Sequence, residues 1–164
     1  MIEVKRALWL RILVHAVFAW VLYVIQALIL THFRIFGVAP FILPLAVIAV
    51  GMFEGADWGA GFGIWAGVLA DAAFSESTVM FTILFAALGF GVGFLGNHLL
   101  SRGFPSYLLC SLLALLGISL FQMFPLFVFA GQSIFTLVQV ALVQTLYSFL
   151  FTLPMYVACR RLRK

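Results

Sequence analysis

Long apolar runs, cut at intervals by charges and turn residues, make up most of the chain. Six runs can be counted, at about 8–30, 35–53, 58–74, 79–100, 106–127 and 134–157. Each approaches the roughly 20 residues that cross a bilayer core as a helix, the second and third being the shortest. In lipid the backbone must satisfy its own hydrogen bonds, so only helices or a closed barrel can span. Barrel strands alternate apolar and polar residues, and these runs do not. The pattern predicts an all-α polytopic membrane protein with six transmembrane helices in a single domain, 1–164. Pro40 and Pro44 suit the start of the second helix, where first-turn amides have no intrahelical partner. Pro125 is expected to kink or end the fifth.

Composition agrees with this reading. Hydrophobic residues are 66% of the chain and charged ones 9%, against about 25% charged in a soluble domain. The apolar run Ile12–Thr31 is long enough to span and lacks a convincing cleavage site, so it is read as a retained first helix. Six spans put both ends on one side. That side then holds Lys5, Arg6, Arg11, Arg102, Arg160, Arg161, Arg163 and Lys164, and the other only Arg34. Basic residues collect on the cytoplasmic side, so both termini are expected in the cytoplasm. Trp9, Trp58, Tyr107 and Tyr156 fall near that inner boundary, where interfacial aromatics are expected. The same distribution argues against nucleic acid as a partner.

The most informative motif is a ladder of small residues. Gly51, Gly55, Gly59, Gly63 and Gly67 recur every fourth position, and Asp71 continues the spacing. Residues four apart share one face of a helix, and glycine there lets another helix come close. The next helix carries Gly89 and Gly93. A tight contact between the third and fourth helices is predicted, with Gly59 and Gly63 near Gly93 and Gly67 near Gly89.

Asp71 is the main polar candidate. A carboxylate at the centre of a membrane helix costs about 2.5–3.5 kcal/mol and is a functional candidate by default. Counted back from Ser75, it lies about 6 Å from the outer end of its helix. The expectation is an ion pair with Arg34, or a hydrogen-bonded Asp71 that fixes the outer loops. Glu54 and Asp57 read as solvated loop charges. Gln26, Gln122, Gln139 and Gln144 read as interhelical hydrogen bonders. His15, His32 and His98 do not share a metal-binding spacing. Cys110 and Cys159 form neither a metal-spaced pair nor a supported disulfide. No nucleophile–histidine–acid set is apparent, so neither enzyme activity nor a cofactor is expected.

Gly37-Val38-Ala39-Pro40, and then Gly61-Phe62-Gly63-Ile64-Trp65-Ala66-Gly67-Val68-Leu69-Ala70-Asp71, resemble the bacterial rod shape-determining MreD family. The second stretch is similar to that family's G-F-x-x-G-L-x-x-D pattern, with Gly63, Gly67 and Asp71 at matched positions. The chain departs from the pattern at Phe41 and at Ser75-Glu76-Ser77. The resemblance implies a non-enzymatic membrane scaffold of the cell-elongation complex. It implies association with MreC and, directly or indirectly, with peptidoglycan synthases and MreB filaments. It also implies a fold similar to the S components of energy-coupling-factor transporters. A vitamin-binding S component is therefore the alternative. That role needs polar groups lining an outward pocket, for which the outer halves offer Gln26, Asp71, Thr82 and Gln132.

Overall fold

A computed structural model of the chain describes residues 2–30, 32, 40–73, 79–98, 103–130 and 133–162. Among them every regular element is a helix. Helix α1 spans Ile2–Val24 and runs on through a π-helical turn, Ile25–Leu30. It is followed by α2 (Leu43–Glu54), α3 (Ala56–Ala73), α4 (Met80–His98) and α5 (Phe104–Ala130). Two further helices, α6 (Ile134–Leu150) and α7 (Thr152–Leu162), complete the chain. Trp9–Leu28 and Phe104–Gln122 are long and apolar enough to cross a membrane, and α6 with α7 makes a third span if the bent pair counts as one. The chain has the character of a helical membrane protein.

The centre of the bundle is α2. Every residue from Leu43 to Phe53 is buried, among α3, α4, α5, α7 and α1. Its 12 residues give a length of about 18 Å. The apolar pattern places the second helix over 35–53, but Pro40, Phe41 and Ile42 are not helical. Pro44 accounts for the later start: it stands in the first turn of α2, as proline prefers. Residues 35–39 of that expected helix lie outside the described residues.

Gly55 alone joins α2 to α3, at φ 105°, where any side chain would be strained. The turn folds α3 back so that α2, α3 and α4 meet through their glycines. A Cβ on Gly51 would stand 2.6 Å from the Gly89 carbonyl oxygen. One on Gly59 would overlap the backbone of Gly89, and one on Gly63 or Gly67 that of Phe85 or Thr82. The predicted α3–α4 contact forms on the predicted faces, in a different register. Gly59, not Gly67, meets Gly89, and Gly93 sits against Gly55 and Ala56 rather than Gly59 and Gly63. Asp71 accounts for the difference, because it binds the start of α4 and so fixes how far α4 slides along α3.

The sixth expected helix, 134–157, is broken. The axes of α6 and α7 differ by 44°, with Phe151 at the joint. Pro154 supplies the reason: it has no amide for the Leu150 carbonyl, and its ring crowds that carbonyl. By contrast, α5 continues through Pro125 to Ala130. Tyr107 and Tyr156, expected near the inner boundary, turn their rings into the bundle. They are buried, in contact with each other and, through Tyr156, with Phe53 and Phe104.

Gly63→Leu forces the α3 and α4 backbones apart. It is expected to lower stability by about 2 kcal/mol or more. A Cβ added at Gly91 would have no described atom within 4 Å, so Gly91→Leu is expected to stay near wild type. Thermal unfolding of both variants in detergent reads the difference; equal midpoints would contradict the contact.

Candidate functional site

Two polar sites lie at opposite ends of the bundle. The first is built on Asp71, one turn beyond Gly67 on the face of α3 that meets α4. Its Oδ1 accepts from the Phe81 amide at 3.0 Å. Its Oδ2 accepts from the Thr82 amide at 3.0 Å and from the Thr82 hydroxyl at 2.7 Å. The first amides of a helix have no intrahelical acceptor, and a carboxylate there also meets the positive end of the helix dipole. Asp71 thus caps α4 from a neighbouring helix. Arg34 lies outside the described residues; among the described residues the three hydrogen bonds of Asp71 are all with α4. Arranged in this way, the carboxylate anchors the helix.

Beside this cap the backbone is irregular, and side chains satisfy it. The Phe41 amide donates to Ser148 Oγ at 2.8 Å. Gln26 Oε1 accepts from the Ile42 and Leu43 amides at 3.1 and 3.2 Å. The π-helical turn therefore carries the acceptor for the start of α2, and the last turn of α6 carries another. Gln144 donates to Gln122 Oε1 at 3.3 Å, linking α6 to α5. Gln26, Gln122 and Gln144 are all interhelical hydrogen bonders. For Gln139 the structure gives an exposed position and no such bond.

The second site is at the other end, on the side of the exposed Arg11. Glu54 is not the solvated loop charge that its place in the sequence suggests. Its side chain is only 5% exposed. His15 Nε2 stands 3.4 Å from Glu54 Oε1, and Arg11 Nη2 3.7 Å from Oε2. His15 Nδ1 stands 2.8 Å from the Arg11 carbonyl, so the ring lies between that carbonyl and the Glu54 carboxylate. Trp58 packs on both, its ring 5.4 Å from the His15 ring and 5.7 Å from the Arg11 guanidinium. A buried carboxylate is tolerated only when so paired. Asp57, in the first turn of α3, is exposed as expected.

Sequence reasoning missed this cluster because Glu54 adjoins a glycine turn and its partners lie on α1. His15 gave the one available signal: a histidine four residues after Arg11 faces the same way along a helix. The side chains of Asn97 and His98 lie outside the described ones. Among the described residues no group of side chains suits a metal ion, and both cysteines are free. No protein family, curated protein or solved structure matches the chain.

Asp71→Ala removes three acceptor contacts and is expected to lower stability by about 2 kcal/mol. Asp71→Asn keeps an amide oxygen and should cost about half as much, as asparagine also caps well. Thermal midpoints in detergent check the order. For the second site, His15→Ala and Glu54→Ala should be strongly non-additive. A coupling of at least about 1 kcal/mol is expected in the double variant, and additive effects would contradict the pairing.

Proposed function

We propose that the chain is a non-enzymatic scaffold of the bacterial cell-elongation complex, of the MreD type. It spans the cytoplasmic membrane six times, with α6 and α7 as one broken span and both termini in the cytoplasm. The observation that carries this reading is the use made of Asp71. The residue on which the resemblance to MreD turns, together with Gly63 and Gly67, spends its hydrogen-bonding capacity on holding α4 against α3. A group used so builds a rigid surface. A scaffold needs such a surface, and MreC, the peptidoglycan synthases and MreB filaments are its proposed direct or indirect partners.

An S component of a vitamin importer has less support. Of the polar groups available to such a pocket, Gln26, Asp71 and Thr82 are each already bonded within the bundle. Gln132 lies outside the described residues.

Affinity purification from native membranes in mild detergent tests the reading, with co-purifying proteins identified by mass spectrometry. MreC and the elongation synthases are expected. Recovery of a coupling membrane protein with its pair of ATPases would overturn it.

A further inference from the structure

Between α1 and α3, beside the His15–Glu54 pair, lies a cavity of about 510 Å³. Its two ends differ in chemistry. The mouth carries Asp57, exposed on α3. The Arg11 guanidinium lies over Trp58, which also lines the cavity. The depth is lined by Ile12, Ala16, Phe62 and Trp65 with the His15 ring among them, and Gly61 forms part of the wall. The Trp65 indole nitrogen donates to the Ala16 carbonyl at 3.3 Å and ties α1 to α3 beside that apolar depth. No described heavy atom lies within 4 Å of where a Cβ on Gly61 would stand, so glycine there keeps open space.

Arg11 pairs with Glu54 but is not fully engaged by it. At 3.7 Å from Glu54, the Arg11 guanidinium is beyond good hydrogen-bonding distance. Its side chain is 56% exposed. Arg11 over Trp58, and Asp57 next to Trp58 in the chain, put a cation and a carboxylate at one end of the slot, which complements a headgroup that carries both signs above a hydrocarbon chain. A purely anionic headgroup would gain Arg11 and be repelled by Asp57. Trp9, exposed on α1 before the slot, suits a bilayer interface at this level.

We propose that this cavity is a binding site for an aminophospholipid. The phosphate sits on Arg11, the ammonium on Asp57, and one acyl chain runs between α1 and α3 past Gly61. The inference rests on the membrane placement proposed above and not on the scaffold role.

The test uses the full chain, purified in mild detergent and stripped of lipid. It is titrated with phosphatidylethanolamine and with phosphatidylglycerol of the same acyl composition, and bound lipid is counted by native mass spectrometry. One phosphatidylethanolamine per chain is expected, bound about fivefold more tightly than phosphatidylglycerol, the discrimination one exposed charge pair can give. Asp57→Asn should erase that preference. Gly61→Leu should abolish retention with an unchanged thermal midpoint, while Gly91→Leu, in the separate groove between α4 and α5, should retain the lipid. Equal affinity for the two lipids in the wild type, or undiminished retention by Gly61→Leu, would overturn the site. Neither result depends on which proteins co-purify, so failure of the scaffold reading is seen separately.

Discussion

Between α3 and α4 the two backbones come into direct contact, and the positions of the other helices follow from that contact. In lipid there is no hydrophobic drive to press helices together, so close packing of small residues must supply the attraction. Gly59, Gly63 and Gly67 expose the α3 backbone along one face, and Phe85, Thr82 and Gly89 of α4 lie against it. Gly51 brings α2 to the same place, so three backbones meet around Gly51, Gly59 and Gly89. Asp71 closes the far end of the seam. A sliding contact between two smooth helix faces becomes a fixed one when a carboxylate on one binds the first amides of the other.

A centre this tight holds a helix too short to reach both surfaces. With only about 18 Å of helix in α2, the Pro40–Ile42 segment before it is buried in non-helical form. Such backbone survives away from water only where other groups bond to it. Gln26 and Ser148 do so, and each sits at an irregularity of its own helix. The π-helical turn of α1 and the α6–α7 bend thus belong to the same solution as the short α2. At the other end, Glu54 is buried where α2 turns into α3, and Arg11 and His15 of α1 offset its charge. Each end of α2 is therefore tied to α1 by a polar contact.

Helical class and the packing face of α3 were legible because they depend on local spacing: long apolar runs, and glycine every fourth residue. Register was not, because it depends on a contact between Asp71 and amides ten and eleven positions later, across a connection whose geometry spacing does not encode. The start of α2 was misread for a related reason. Pro40 and Pro44 are both compatible with a first turn, and only the acceptors on α1 and α6 decide between them. Pro154 did mark the α6–α7 break, yet an unbroken apolar run concealed it. Glu54 looked like a loop charge because its partners, Arg11 and His15, stand far earlier in the chain on another helix.

Asp71 is the clamp that sets α4 on α3, and a clamp of this kind has a local signature in amide exchange. First-turn amides of a helix ordinarily lack an acceptor and exchange fast. Hydrogen exchange at Phe81 and Thr82, followed residue by residue by NMR in nanodiscs, tests the clamp directly. Slow exchange is predicted at both in the wild type, lost in Asp71→Ala while the middle of α4 stays protected. Fast exchange at Phe81 and Thr82 in the wild type, or protection unchanged by Asp71→Ala, would contradict it.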